Sequence, residues 1–173
     1  MTTHVAFLRA INLGATRKFP KEAIVAATGT AGFDDVATHI NTGNVRFSTR
    51  MRSRARIEDA LERAYLADRG FEVPTVVYRT DELRDVVTDA DGFGHDAKHY
   101  VWLLKEAPTA ALRERLEALS TADERVGLSE RAVHLMLAGG YLDARLLRPI
   151  EKSIGVATNR NVTVLRALVR KWC

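Results

Sequence analysis

The clearest fold signal is Val36-Ala37-Thr38-His39-Ile40-Asn41-Thr42-Gly43-Asn44-Val45-Arg46-Phe47-Ser48. Its two ends, residues 36–40 and 45–48, are short runs with β-branched and aromatic side chains, which favour strands. The polar string between them has Gly43 near its tip, and glycine adopts the positive φ of a tight turn at little cost. The stretch therefore predicts a β-hairpin.

Elements on both sides of this hairpin predict a ferredoxin-like N-terminal half. Residues 5–8 are apolar on both alternating faces, which is typical of a strand covered on both sides. Pro20 suits the first turn of the following helix, and residues 53–70 have an amphipathic helical period. A strand at residues 75–78 completes the order β-α-β-β-α-β, so we predict an α+β fold with this arrangement over residues 1–80.

Residues 81–173 predict a second, divergent α+β half that packs on the first. A helix-like segment begins at Asp81, and a strand, a helix and two strands follow between residues 100 and 137. This order repeats that of the first half, so we expect a divergent internal duplication. The fourth strand of this half is predicted to be replaced by C-terminal helices, a short one from Pro149 and a final one with an apolar face from Val162.

Composition limits the class of protein. Of the 173 residues, 46% are hydrophobic and 28% are charged, as in ordinary soluble globular proteins. The longest apolar runs are far too short to span a bilayer, and the N-terminus has no signal-like segment. The single cysteine, Cys173, cannot form an internal disulfide. We therefore expect a cytoplasmic protein with no membrane partner.

The formal net charge of +4 is unevenly distributed along the chain. Two basic clusters lie on either side of an acidic stretch between residues 81 and 96. Either these are solvated faces whose charges partly pair, or they form a basic surface that attracts phosphate. The aromatic fraction of 7% argues against a stacking-based single-strand binder. The basic clusters are Arg46, Arg50, Arg52, Arg54 and Arg56, then Arg145, Arg148, Lys152, Arg160, Arg166, Arg170 and Lys171.

Three polar strings, residues 9–14, 41–44 and 158–161, carry the candidate site. Each borders a strongly apolar element and offers hydrogen-bond donors or positive charge, but no nucleophile or general base. In the split βαβ arrangement the first two strands run parallel, so the loop after the first strand and the hairpin lie at the same end of the sheet. We predict that folding gathers the strings into a donor-rich recess for an anionic ligand. Its candidate ligand-binding residues are Arg9, Asn12, Gly14, Asn41, Gly43, Asn44, Thr158, Arg160 and Asn161.

Structural roles stay open for the same residues. Thr158 or Asn159 can cap the last helix. Arg160, beside that helix start, can bind an anion or pair with an acid of residues 81–96. Arg9 ends an apolar strand, so its stem is predicted to be buried and its head to bond a carbonyl or a carboxylate. The asparagines are also common turn formers.

The sequence shows no clear catalytic, metal or cofactor pattern. Gly139-Gly140 lacks the context of a phosphate loop. His95, Asp96 and His99 have tolerable metal spacing but lack a further clear ligand, so we predict no metal and no cofactor. His39 is the nearest candidate for a general base, with an ordinary exposed strand histidine as the alternative.

The three strings resemble an uncharacterised, mostly bacterial family, domain of unknown function 1697. Its members open with a strand that runs into Arg-Gly-Ile-Asn-Val-Gly, continue with a Ser-Gly-Asn turn, and carry Thr-x-Arg-Asn ahead of a last helix. Ala10, Thr42 and Val162 stand where the family often has glycine, serine and tryptophan. The resemblance extends over the full length and implies a two-part α+β fold with ferredoxin-like character, but no particular activity. The matching residues are Arg9, Ile11, Asn12, Gly14, Gly43, Asn44, Thr158, Arg160 and Asn161.

Three functions stay open on the sequence alone. The first is binding of an anionic ligand, either a phosphorylated metabolite or the phosphate of nucleic acid. The second is an enzyme that stabilises a phosphate- or carboxylate-bearing substrate electrostatically. The third is a homo-oligomer that pairs exposed strand edges. We favour ligand binding because the sequence shows no clear general base, and whether any reaction is catalysed stays open.

Overall fold

The computed structural model describes residues 1–94 and 98–173 and divides into two compact units. The first unit comprises Met1–Glu82 with Trp172, and the second comprises Leu83–Lys171 with Cys173. Within the described residues each unit contains one four-stranded antiparallel sheet. This confirms the predicted α+β class. None of the helices in residues 1–94 and 98–173 is long and apolar enough to cross a membrane.

The first unit has the predicted order of strands and helices. Its elements are β1 Thr2–Leu8, α1 Lys21–Thr30, β2 Asp34–His39, β3 Asn44–Thr49, α2 Arg54–Arg69 and β4 Thr75–Arg79. The strand order in the sheet is β2-β3-β1-β4, and every neighbouring pair is antiparallel. Because β1 and β2 both run antiparallel to β3, they point the same way, as the split βαβ arrangement requires.

Strand β1 is buried on both faces and anchors this unit. Ala6 and Leu8 belong to the core cluster that also contains the buried side chains of α1 and α2. Val5 and Phe7, on the opposite face, are equally inaccessible to solvent. Full burial of one such large apolar side chain stabilises a fold by about 1.5–3 kcal/mol. The prediction of a strand covered on both sides is therefore confirmed.

Carboxylates cap the outer edge of β4. Three alternate backbone N–H groups of this edge strand donate to glutamate side chains of α2 and of the segment after β4. The bonds are Thr75 N to Glu62 Oε1 at 2.8 Å, Val77 N to Glu58 Oε1 at 3.0 Å and Arg79 N to Glu82 Oε2 at 2.8 Å. Because these donors are occupied, this edge does not offer them to another strand.

The second unit repeats the strand order of the first. After α3 Thr80–Gly92 come β5 Lys98–Leu104, α4 Ala110–Glu117, β6 Glu124–Leu128, β7 Ala132–Leu137, a 3₁₀ turn at Tyr141–Asp143, α5 Leu147–Ser153, β8 Ala157–Asn161 and α6 Val162–Trp172. The sheet order is β6-β7-β5-β8, again antiparallel throughout. The predicted repetition of the β-α-β-β order is confirmed, and it extends to a fourth strand.

The prediction that helices replace this fourth strand is wrong. Residues 157–161 form the edge strand β8, which pairs with β5 from Ala157 opposite Leu104 to Asn161 opposite Tyr100. Helices α5 and α6 flank the strand instead of replacing it. The string Thr-Asn-Arg-Asn has low strand propensity, and backbone pairing with β5 is what holds it extended.

The repeat extends to individual hydrogen bonds at the end of each central strand. In both units the last strand residue donates its N–H to the β-hairpin turn, and the next residue donates to the segment before the fourth strand. The bonds are Leu8 N to Gly43 O at 2.8 Å and Arg9 N to Pro74 O at 2.9 Å, against Leu104 N to Arg131 O and Lys105 N to Val156 O, both at 2.9 Å. These positions are therefore topologically equivalent.

Candidate functional site

Two of the three polar strings meet at one end of the first sheet. We call this the loop end and define it as residues 9–20, between β1 and α1, with the turn at residues 40–43. Asn12 Nδ2 donates to Asn41 O at 2.8 Å, and Leu8 N donates to Gly43 O. The predicted proximity of the first loop to the hairpin turn is therefore confirmed.

The asparagine amides at the loop end hold the backbone. Asn12 Nδ2 also donates to Phe19 O at 3.2 Å, and Asn12 Oδ1 accepts from Phe19 N at 2.8 Å. Asn44 is fully buried, and its Nδ2 donates to His39 O and to Thr42 Oγ1, both at 3.0 Å. Both side chains thus act in the turn-forming role that the sequence left open.

Gly43 is the position where turn and strand approach most closely. Its φ is +77°, and a Cβ added there would lie 2.7 Å from Leu8 Cβ and 2.9 Å from Ile11 Cδ1. Neither the conformation nor the space suits a side chain. Gly43 therefore lets the hairpin turn pack directly on the end of β1.

The loop end concentrates left-handed backbone. Ala10, Asn12 and Gly14 have φ of 56°, 54° and 65°, and Ile40 at the turn has φ of 52°. Asparagine and glycine tolerate this region, but alanine and the β-branched isoleucine adopt it at a cost in conformational free energy. Glycine would adopt the φ of Ala10 without this cost. Strain of this kind concentrates at functional sites and persists only where surrounding contacts enforce it.

Arg17 is one of those contacts. Its Nε donates to Ala10 O at 2.7 Å, its Nη2 donates to Glu72 O, and its guanidinium lies 4.6 Å from the centre of the Phe71 ring. Arg17 therefore ties both ends of the loop to the segment before β4. The sequence places Arg17 in this loop, but no local pattern indicates that its side chain spans to residues 71–72.

The outer surface of the loop end is basic and solvent-exposed. Arg9 and Lys18 are exposed, so the prediction of a buried Arg9 stem is wrong: β1 ends at Leu8, and the chain leaves the core at once. Leu13 is 64% exposed. Within the described part of the chain, the structure shows no hydrogen bond from the backbone N–H groups of residues 13–16. Residues 9–20 and 40–43 contain no acidic residue, histidine or cysteine.

The equivalent end of the second unit lacks such a loop. Only residues 105–109 separate β5 from α4, whereas residues 9–20 separate β1 from α1. At the position equivalent to Gly43 stands Arg131, which is 5% exposed and donates from Nη2 to Leu104 O at 2.9 Å. The strand-to-helix connection that both units share can therefore be made by a short segment and does not need the longer loop.

The third string belongs to the second unit and has its own local roles. Asn161 caps α6, because its Oδ1 accepts from Thr163 N at 2.8 Å. The prediction that Thr158 or Asn159 caps this helix is wrong, because α6 begins at Val162 and the residue directly before it, Asn161, is the cap. Six of the nine predicted ligand residues thus belong to the first unit and three to the second, and their gathering into one recess stays a prediction.

Arg160 lies in β8 rather than in the first turn of α6. Its Nη1 donates to Thr158 Oγ1 at 2.7 Å and to Asn159 O at 2.8 Å. Burial lowers the pKa of Arg160 to about 10, so its guanidinium stays charged at neutral pH. The arginine of the last helix that pairs with the acidic stretch is Arg166, whose Nη2 lies 2.6 Å from Asp91 Oδ1.

The second unit also buries a polar chain that the sequence did not predict. Ser129 Oγ lies 2.8 Å from His134 Nε2, and His134 Nδ1 lies 2.9 Å from His99 Nε2. Burial, reinforced by His99, lowers the pKa of His134 to about 3. A histidine with that pKa is a poor general base at neutral pH. His99 and His134 come from separate strands and Ser129 from the turn before β7, so no sequence spacing signals the cluster. The other residues with tolerable metal spacing, His95 and Asp96, lie outside the described residues.

Comparisons with known proteins place the chain in a family. A family model described as "Protein of unknown function (DUF1697)" matches residues 1–134. The chain belongs to the DUF1697 family. The match includes the loop end and stops before the Thr158–Asn161 string. No curated protein matches this DUF1697 chain.

A solved structure shares the fold of this DUF1697 chain. It is that of the conserved bacterial protein SP0830 from Streptococcus pneumoniae, with a TM-score of 0.75 and 17% sequence identity. The alignment covers 98% of this chain and 97% of that one. At this identity the similarity shows a common fold and says nothing of function.

Proposed function

We propose that this DUF1697 protein binds an anionic ligand, a phosphorylated metabolite or a nucleic-acid phosphate, at the loop end of its first unit. One observation carries the proposal: the loop between β1 and α1 is much longer than its equivalent in the second unit. A segment that the chain path does not need, and that is exposed and strained, is a common place for function.

The charge of the loop end supports an anion in particular. Arg9, Arg17 and Lys18 lie within residues 9–20, with no acidic residue to neutralise them. Arg17 is committed to the backbone of the loop, which leaves Arg9 and Lys18 exposed on its surface. Backbone amides without an internal acceptor supply the additional donors that phosphate and carboxylate groups prefer.

Binding is favoured over catalysis because residues 9–20 and 40–43 carry no side chain suited to general-base work, and His39, the nearest candidate base, ends β2 just outside them. Residues 9–20 and 40–43 lack aspartate, glutamate, histidine and cysteine. Without a protein nucleophile or base, electrostatic stabilisation alone supplies only a residual part of an enzyme's usual rate enhancement. The capped edge of β4 argues against the alternative of an oligomer that pairs this strand edge.

The test is calorimetric titration with inorganic pyrophosphate at low salt. We expect the double variant Arg9→Ala/Lys18→Ala to bind at least about tenfold more weakly than wild type, because it loses two charge-assisted contacts. The matched control is Arg115→Ala/Arg148→Ala, which removes two exposed positive charges from the second unit. Equal losses in the two variants, or no binding up to about 10 mM pyrophosphate, contradict the proposal.

A further inference from the structure

A second basic surface lies at the opposite end of the first sheet. Residues 50–56 connect β3 to the first turn of α2 and contain Arg50, Arg52, Arg54 and Arg56, with no acidic residue among them. We call these four residues the arginine patch. In the sheet register, Thr49 at this end pairs with Thr2, whereas Asn44 pairs with Phe7 beside the loop end. The arginine patch is therefore separate from the loop end.

Three members of the patch are exposed and without an acidic partner. Arg50, Arg52 and Arg56 are exposed, and among the described residues their side chains form no ion pair or hydrogen bond. Several arginines elsewhere on the chain do lie against a neighbouring carboxylate. These pairs are Arg63 with Asp59 at 2.7 Å, Arg69 with Asp68 at 2.6 Å, Arg79 with Asp81 at 2.9 Å and Arg166 with Asp91 at 2.6 Å.

The position of the patch makes this lack of pairing costly. Helix α2 begins at Arg54, and its first turn contains no acidic residue. The partial positive charge of a helix N-terminus favours acidic side chains and disfavours basic ones. Four arginines within seven residues also repel one another. Packing does not require the charges of the three exposed members, so stability of the folded chain does not explain them.

A polyanion relieves this repulsion. Guanidinium groups bind phosphate in a planar, bidentate manner, and several of them in close succession match a ligand with several phosphates in succession. Phe47, the aromatic residue next to the patch in the sequence, is buried, so its ring is not available to stack on a base. The chemistry of the patch therefore suits a phosphate backbone rather than base edges.

We propose that the arginine patch binds the phosphodiester backbone of nucleic acid without reading its sequence. This interaction is additional to the proposed loop-end ligand and uses different residues. Binding through phosphate contacts releases counterions, so the affinity falls steeply as salt rises.

The experiment measures binding of the full chain to a fluorescent DNA duplex of about 20 base pairs over a series of salt concentrations. We expect Arg50→Gln/Arg52→Gln/Arg56→Gln to bind at least about tenfold more weakly and to lower the slope of log affinity against log salt by about 2–3. The matched control, Arg63→Gln/Arg115→Gln/Arg148→Gln, loses the same charge and should stay within about threefold of wild type. The single variant Arg52→Gln should lower the slope by about 1, which keeps the test valid if the triple variant folds poorly.

The outcomes separate this proposal from that for the loop end. The arginine-patch triple variant should lose affinity for the duplex and keep its affinity for pyrophosphate, which separates the patch from the loop end whether or not the duplex also contacts Arg9 and Lys18. Equal weakening by the patch and control triple variants contradicts the proposal, as does the absence of salt-dependent binding. Patch-dependent binding to vesicles of anionic phospholipid, with no binding to the duplex, also overturns it.

Discussion

The same strand end is built in two ways in the two units. In the first unit the turn opposite Leu8 contains Gly43, and a long, exposed and basic loop packs over it. In the second unit the turn opposite Leu104 contains Arg131, whose buried side chain caps Leu104 O, and the following loop is short. The hydrogen bonds that both units share belong to the fold. The long loop and the Gly43 turn, which the second unit lacks, are therefore the part of the first unit that is available for function.

The largest expected effect is acid sensitivity of the second unit. Burial first, and then His99, lower the pKa of His134 to about 3. The folded protein therefore keeps His134 neutral while the unfolded chain protonates it below its ordinary pKa. Above about pH 6.5 His134 is neutral in both states and does not reduce stability. As the pH falls from there toward 3, the free energy of unfolding decreases by about 1.4 kcal/mol per pH unit.

Urea unfolding as a function of pH tests this expectation. His134→Gln should flatten the slope between pH 6 and pH 4, within the window of about 3 to 6.5. His4→Gln in the first unit is the matched control: burial lowers the pKa of His4 too, but its hydrogen bond to Thr2 O opposes the shift. If His134→Gln leaves the slope unchanged, His134 does not titrate as a buried neutral histidine.

The second-largest effect is expected where the hairpin turn packs on the end of β1 in the first unit. Gly43→Ala places a Cβ within 2.7 Å of Leu8 Cβ at a positive φ, and we expect a loss of about 2–4 kcal/mol in the free energy of unfolding. Gly14→Ala shares the positive φ but meets no atom within 4 Å, so it should cost only about 1 kcal/mol. Chemical denaturation measures both variants, and equal losses would show that space around Gly43 is not limiting.

The smallest effect should be a gain in stability. Ala10 has φ of 56°, a conformation that costs alanine about 1 kcal/mol relative to glycine. Ala10→Gly should therefore raise the free energy of unfolding by up to about 1 kcal/mol, less the entropy that glycine adds to the unfolded chain. A thermal melt that shows a lower midpoint for Ala10→Gly would mean that neighbouring contacts have already relieved this strain.

Much of the first unit was predictable because its signals are local. The apolar run of β1, the turn glycine and the period of α2 gave the split βαβ order, and that order brings Asn12 close to Asn41. Because β1 and β2 point the same way, the loop after β1 and the turn after β2 lie at the same end of the sheet, and this follows from the topology alone.

The missed features depend on contacts between distant residues or on exposure. Strand β8 is held by backbone pairing to β5. Its polar sequence has no strand pattern, so the sequence alone does not reveal it. The contact of Arg17 with Glu72 O joins residues 55 positions apart, and His99 meets His134 across neighbouring strands. The sequence predicts a buried stem for Arg9, but exposure at a strand end depends on where the following loop turns.

Amide chemical-shift mapping with inorganic pyrophosphate compares the two strand ends in one experiment. We expect shift changes at residues 9–18 and 40–43, with residues 105–109 and 129–131 unaffected. Changes confined to the strand end of the second unit, or no change at either end, would contradict this expectation.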